Sequence, residues 1–356
     1  MSDRILISGG AGFVGSSLAI GLKQLHPDSQ VICLDNLRRR GSELNLPRFK
    51  ALGIEFIHGD VRFRDDLDPS LLDVDTIIDC SAEPSVLAGV NSPQYVLDTN
   101  LVGTINLLEL ARKTHANLLF LSTSRIYSIE PLTKIKVVET NTRLELAREQ
   151  TTPGVSWQGI NEDFPIHSYR SLYGTTKLAS ELLIAEYRQS FGLRAIINRC
   201  GILTGAWQMG KVDQGVVVLW MAAHYFQKPL KYIGYGGTGK QVRDFLHIKD
   251  LLRLVDYQVN NFDSLDGDIL NVGGGRYSNL SLLEMTQLCQ EITGNTINIE
   301  SVTTERTGDI PIYITNCDRL IQKTQWQPKM KPAQTLEDIY HWIVAHEDSL
   351  RPILSC

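Results

Sequence analysis

The 356-residue chain has little of what marks several protein classes. No apolar stretch approaches the roughly 18 residues that a membrane-spanning helix needs. The N-terminus lacks the charged-then-apolar pattern of a secretory leader. The expectation is a soluble, cytoplasmic protein that does not engage a membrane. The six cysteines (33, 80, 200, 289, 317 and 356) form no C-x-x-C pair. Cys33, Cys80 and Cys200 close apolar strand-like runs, as buried thiols of a reducing compartment do. No metal is expected. A net charge of −5 and a pI near 5.9 leave no basic stripe, which argues against nucleic acid as a partner. A phosphorylated ligand would therefore need local cations. Internal repeats, coiled-coil heptads and low-complexity tracts are absent too.

What is present is alternation. With 43% hydrophobic residues the chain can fill a sizeable core. Apolar strand-like runs recur at Ile5 to Ile7, Val31 to Leu34, Glu55 to His58, Thr76 to Asp79, Leu118 to Ser122 and Ala195 to Asn198, separated by helical patterns. Between Leu101 and Arg112 the residues Leu101, Ile105, Leu108 and Ala111 fall at helical spacing and predict a crossover helix. Such βαβ rhythm predicts an α/β fold, a Rossmann-type doubly wound parallel sheet. The rhythm loosens after Arg199, which predicts a smaller C-terminal substrate-binding domain. The expected division gives 1–200 and 240–273 to the dinucleotide-binding domain and 201–239 and 274–356 to the other. Asp244 to Ile248 and Leu270 to Val272 read as returns to the main sheet.

The first run leads into Gly9-Gly10-Ala11-Gly12-Phe13-Val14-Gly15, a glycine turn opening a helix. Glycines let the backbone approach a pyrophosphate, and a helix N-terminus offers unpaired N–H groups and a favourable dipole. The second run ends in Asp35, followed by Asn36, where a carboxylate accepts from the ribose hydroxyls of an adenosine. Asp35 repels a 2′-phosphate and so favours NAD, while Arg38, Arg39 and Arg40 keep NADP open.

Much farther along, Tyr173 stands four residues before Lys177, and residues four apart share one helix face. An ammonium ~4 Å from the phenol, at an effective dielectric of ~20, interacts by about 4 kcal/mol. That would lower a tyrosine pKa by up to about three units before desolvation losses. Such a phenol can take a proton from a sugar hydroxyl. The competing view is an amphipathic helix with a snorkelling lysine.

With these residues placed, the chain resembles the extended short-chain dehydrogenase/reductase superfamily over essentially its whole length. Within it, the chain is similar to the nucleotide-sugar epimerase/dehydratase family. Further matching segments are Gly59-Asp60-Val61, Asn100 to Thr104, Ser122-Thr123-Ser124, Arg243-Asp244 and Arg306-Thr307-Gly308-Asp309. The resemblance implies Thr123, Tyr173 and Lys177 as catalytic residues. It implies a cofactor, NAD, held by Gly9, Gly12, Phe13, Val14, Gly15, Asp35, Asn36, Asp60, Val61 and Asn100, with Tyr173 and Lys177. Arg243 and Arg306 would grip a nucleotide diphosphate through paired guanidinium bonds. Asp309 would accept from the nucleotide ribose, and Arg199, Gln214 and Gln241 would complete the substrate site.

A long segment between Thr123 and Tyr173, together with Asp213-Gln214-Gly215 and Gly239 to Asp244, is similar to the CDP-paratose 2-epimerase subfamily. That implies a CDP-linked deoxyhexose as substrate, a transient 2-keto sugar and a homodimer or homotetramer. Ser124 and Arg125 stand where dehydratases carry an acid and a base, so dehydration is disfavoured. A UDP- or GDP-sugar 4-epimerase, another NAD-dependent sugar oxidoreductase, and a non-catalytic dinucleotide sensor are the alternatives. Glu83, in Cys80-Ser81-Ala82-Glu83-Pro84 beside the expected pyrophosphate, fits less well unless it points away.

Overall fold

Seven strands build one sheet in the computed structural model, which describes residues 4–70, 72–210, 214–305 and 308–355. In chain order they are β1 (Arg4–Ser8), β2 (Gln30–Asp35), β3 (Glu55–His58), β4 (Thr76–Asp79), β5 (Asn117–Thr123), β6 (Ala195–Cys200) and β7 (Ile269–Val272). Their order across the sheet is β7-β6-β5-β4-β1-β2-β3. Pairs β1/β2, β1/β4, β2/β3 and β4/β5 are parallel. The chain runs outward from β1 to β3 and then returns to the other side of β1 at β4. That reversal opens a crevice at the carboxyl ends of β1 and β4, where ligands bind in doubly wound sheets.

Burial on both faces explains why these strands read as nearly continuous apolar runs. Leu6, Ile32, Ile77, Leu118 and Phe120 pack against Leu107, Leu108 and Ala111 of the helix Gly103–Thr114 and against Ile184, all fully buried. Truncating one such leucine to alanine costs about 2–5 kcal/mol.

Helix α1 (Phe13–Leu25) follows the glycine turn. The predicted crossover helix is α2 (Gly103–Thr114), entered through a π-helical turn, Asp98–Val102. In that widened turn the Asn100 carbonyl accepts from the Thr104 and Ser180 hydroxyls, at 2.8 and 3.3 Å. Helix α3 (Leu172–Phe191) starts at Ser171, whose hydroxyl accepts the Gly174 N–H. It ends at Gly192, in the left-handed conformation suited to glycine.

The chain forms two compact units: Met1–Ile126, Ser171–Arg199 and Leu251–Leu270 in the first, and Tyr127–Arg170, Cys200–Asp250 and Asn271–Cys356 in the second. Strand Val242–His247, expected in the main sheet, is instead the centre of a smaller sheet in the second unit. It pairs parallel with Ile202–Thr204 and Ile312–Tyr313 and antiparallel with Asn279–Ser281. Its burial is like that of a main-sheet strand; its neighbours differ. Gly201 and Gly273 leave room for this arrangement. A Cβ on Gly273 would stand 2.5 Å from Asp244 Oδ2 and 2.3 Å from Thr315 Oγ1.

The segment between Thr123 and Tyr173 is structured. It contains hairpins Val137–Glu139/Leu144–Leu146 and Val155–Ser156/Gly159–Ile160. Ile160 donates its N–H to the Ile314 carbonyl and accepts from Asn316, which stitches the second hairpin into the unit. The Arg148 and Arg276 guanidiniums lie 4.4 and 4.3 Å from the Trp157 ring, and Arg276 also pairs with Glu145. No helix among the described residues is long and apolar enough to cross a membrane.

Candidate active site

In the first unit, β1 delivers its chain into the turn Gly9 to Gly12. Gly9 has φ +62°, and a Cβ there would stand 2.9 Å from the Cys80 carbonyl oxygen. A Cβ on Gly10 would meet Cys33 Cβ at 2.6 Å, and one on Gly15 would meet the Gly9 oxygen at 2.3 Å. Gly12 is the helix N-cap and has no side-chain cap, and the first turn of α1 carries no acidic residue. The N–H groups of that turn have no intrahelical acceptor. An uncapped helix start over a side-chain-free cradle fits the pyrophosphate of a dinucleotide.

The carboxyl end of β2 supplies Asp35. Its Oδ2 accepts the Ala11 N–H at 3.1 Å and its Oδ1 the Leu37 N–H at 2.8 Å. Burial pushes this carboxyl up from its ordinary value, backbone donors from Leu37, Ala11 and Gly12 oppose that, and Asp60 adds to the rise. Asp60 itself is held down. Burial pushes it up, but the Arg62 fork and the Asn36 amide outweigh burial and bring it to about 2. Val61 is buried beneath Gly103, where a Cβ would stand 2.7 Å from Val61 Cγ2. Asp35 is thus fastened to the glycine turn, and Asp60 stands near it through Asn36.

Strand β4 ends in Asp79, a carboxylate the sequence did not single out. Fully buried, it accepts from Ser8 Oγ at 2.7 Å, Ser81 N at 2.9 Å, Ser81 Oγ at 2.6 Å and Thr104 Oγ1 at 3.4 Å. Asn100 fastens the far end of the same turn. Its Oδ1 accepts the Glu83 N–H at 2.7 Å, while its Nδ2 donates to the Glu83 carbonyl and to Thr176 Oγ1. The Glu83 carboxylate accepts the Ser85 N–H at 3.0 Å.

Lys177 is not a snorkelling surface lysine. It is 2% exposed, and its Nζ donates to the Ser81 carbonyl at 3.4 Å and lies 4.4 Å over the Phe120 ring. The ammonium therefore joins α3 to β5 and to the turn that Asp79 organises. One turn earlier on α3, Tyr173 is half-buried and its carbonyl accepts from Thr176 Oγ1. Helix α3 packs on β5 and on the short turn Ser124–Ile126. Thr123 closes β5, is buried, and accepts the Arg125 N–H at 3.2 Å. Strand end and helix start thus bring a threonine hydroxyl, a phenol and a buried ammonium into one unit with the glycine cradle.

Arg199, expected in the substrate site, is placed differently. It is 6% exposed and its guanidinium makes a bidentate pair with buried Glu181, which also accepts from Ser122 Oγ at 2.5 Å. This arginine braces β6 against α3. Glu181 escaped notice because a glutamate in an amphipathic helix reads as solvated.

In the second unit, the Arg243 guanidinium donates to Asp309 Oδ1 at 2.8 Å and to the carbonyls of Val242 and Ile310. Gln241, two residues earlier, donates to the Ile233 carbonyl at 3.1 Å, and its buried Oε1 has no hydrogen-bond partner among the described residues. Tyr235, at φ +49° in the glycine-rich turn ahead of Gln241, has its phenol pushed up by burial and then by Asp309. Gln214 is half-buried just before Gly215 and the helix Val216–Tyr225. Asp213, Arg306 and Thr307 lie outside the described residues. Among the described residues no group of three or more His, Cys, Asp or Glu could hold a metal ion.

The chain is similar to proteins of known activity. CDP-paratose 2-epimerase of Salmonella typhi is 28% identical over 352 residues, which cover 95% of this chain and 98% of that protein. UDP-glucuronic acid decarboxylase 3 of Arabidopsis thaliana is 29% identical, across 92% of this chain and 85% of that one. The structure of Thermus thermophilus UDP-glucose 4-epimerase in complex with NAD matches with a TM-score of 0.73 at 25% identity, covering 95% of this chain and 98% of that chain. The profile of the NAD dependent epimerase/dehydratase family matches residues 5–273. That span runs from the first strand of the sheet to the residue after its last and takes in Thr123, Tyr173 and Lys177. The chain belongs to the NAD dependent epimerase/dehydratase family, and NAD is its cofactor.

Proposed function

We propose that the protein is a nucleotide-sugar epimerase that keeps NAD bound throughout the reaction and acts at C2 of a CDP-linked deoxyhexose, interconverting CDP-paratose and CDP-tyvelose. The observation that carries the reading is the burial of Lys177 one helical turn after Tyr173, fastened to the turn beside the glycine cradle. A buried ammonium there stabilises the phenolate form of Tyr173 more than a solvated one would. Tyr173 then takes the proton of the sugar hydroxyl as general base, and Thr123 shares that hydrogen bond and orients the oxygen. NAD, when bound, would supply reversible hydride uptake at the sugar carbon, the hydride taken from one face and restored to the other. Tyr173 gives its proton back in the second half.

The sugar has to turn over while the substrate stays bound, so its binding energy must come from the nucleotide and diphosphate. Arg243, Asp309 and Gln241 suit that role, with Arg306 as a second proposed phosphate ligand. Elimination of water is not supported, because Ser124 and Arg125 supply no acid–base pair after Thr123. The choice of CDP rests on the likeness to CDP-paratose 2-epimerase and on the long structured segment before Tyr173.

Thermal-shift titration with CDP, UDP, GDP and dTDP tests the nucleotide. A stabilisation largest with CDP, and weakened in Arg243→Gln, supports the assignment. A larger shift with UDP would reject it in favour of a UDP-sugar 4-epimerase.

A further inference from the structure

Around the proposed adenosine end, side chains from three consecutive segments close a circuit. Asn36, just after β2, donates from Nδ2 to Asp60 Oδ2 at 2.9 Å and accepts the Arg38 N–H at 3.0 Å. Asp60, just after β3, receives the Arg62 fork, with Nε at 3.0 Å from Oδ1 and Nη2 at 2.6 Å from Oδ2. The Arg62 guanidinium lies 5.1 Å from the centroid of Tyr95, on the helix Pro93–Leu97 beyond β4. Arg38 lies 4.0 Å from the same centroid, which returns the circuit to the β2 loop. Between Asn36 and Arg38 stands Leu37 at φ +54°, a left-handed conformation that is costly for a bulky residue. Asp35 holds it there by accepting its N–H. The bent backbone is what carries Arg38 back toward Tyr95.

We propose that Arg38, Tyr95 and Arg62 form a clasp over the adenosine half of NAD, and that this clasp keeps the cofactor from leaving between turnovers. The inference rests on the NAD-retaining reading above. An adenosine resting against Asp35 and Asp60 lies inside the circuit, because those two carboxylates hold two of its joints. Tyr95 is the shared element, with both guanidiniums stacked on one ring. Breaking either contact opens the circuit at the Pro93–Leu97 helix without touching the glycine cradle, Asp35 or the Tyr173 region. Cation–π pairs at exposed sites are each worth about a two- to fivefold change in an equilibrium.

The test follows exchange of protein-bound NAD against isotopically labelled NAD, with no sugar present, in wild type, Tyr95→Ala, Tyr95→Phe and Arg38→Gln. Thermal midpoints are recorded alongside. The clasp predicts exchange about threefold to fivefold faster in Arg38→Gln, which loses one pair, about tenfold faster in Tyr95→Ala, which loses both, and within about twofold of wild type in Tyr95→Phe, which keeps the aromatic face. Arg38 is exposed, so Arg38→Gln remains a test if Tyr95→Ala fails to fold. Wild-type exchange rates in a folded Tyr95→Ala or in Arg38→Gln would overturn the proposal. So would a wild-type protein that exchanges NAD as fast as the variants. Because the readout involves no sugar, an error in the proposed substrate leaves the result intact.

Discussion

Asp244 follows the proposed phosphate ligand Arg243 and lies fully inside the second unit, with Gly275 N–H at 2.9 Å from its Oδ2. Burial pushes its carboxyl up from 3.8 to about 6 despite hydrogen bonds from Gly275 and Thr315. The sign follows from linkage. Below about pH 4 the group is neutral in both folded and unfolded chains and costs nothing. As pH rises toward about 6 the unfolded chain ionises while the folded one stays neutral, so stability falls. Above the folded value both are ionised, and the full loss, about 3 kcal/mol for a shift near two units, is complete. Asp244→Asn keeps the shape and cannot titrate. Its amide nitrogen faces a donor at Thr315, a fixed cost of about 1–3 kcal/mol that does not vary with pH. The stability of the variant relative to wild type should therefore rise by about 2–3 kcal/mol between pH 4 and pH 8, whatever its starting offset. Urea denaturation followed by tryptophan fluorescence at several pH values measures this. A difference that stays flat within about 0.5 kcal/mol would refute the claim that Asp244 is buried and reluctant to ionise.

Other outcomes follow from the same contacts. Tyr173→Phe removes the proton acceptor with little volume, and kcat should fall by about 10²–10⁴ while NAD released on denaturation stays at the wild-type amount. Arg199→Met leaves Glu181 buried with one partner gone, and should destabilise by about 3–5 kcal/mol in urea, with most of that recovered in the double variant Glu181→Leu/Arg199→Met. A substrate-binding arginine would instead raise KM with stability unchanged. Gly15→Ala puts a methyl 2.3 Å from the Gly9 carbonyl oxygen, so the cradle must open and the purified protein should carry little NAD. An assay of the NAD released on denaturation, per mole of protein, checks that.

The buried strands of the main sheet were legible because a parallel sheet covered on both faces demands apolar runs, and Leu6, Ile77 and Leu118 are all fully buried, while the edge strand Glu55–His58 is partly exposed. Val242–His247 was misassigned because a strand-like run says nothing about which strands lie beside it. The glycine turn was legible down to single residues, because a cradle that excludes Cβ atoms has one chemical solution. Lys177 was half-legible. Its spacing from Tyr173 stands in the sequence, but its burial depends on Ser81 and Phe120, which only the fold brings near. Asp79 and Glu181 were invisible for a related reason: their partners Ser8, Ser122 and Arg199 lie on other strands, and a lone carboxylate in a sequence reads as solvated. The carboxylate of Glu83, awkward beside an anionic cofactor, accepts the Ser85 N–H two residues on.

The central claim is epimerisation at C2 with retained NAD. The direct measurement is to incubate the purified protein with CDP-paratose or CDP-tyvelose, adding no cofactor, and to follow the C2 proton couplings by NMR. The account predicts that either sugar yields the same mixture of both C2 epimers. An unchanged spectrum for both sugars, from protein shown to carry NAD, would contradict it.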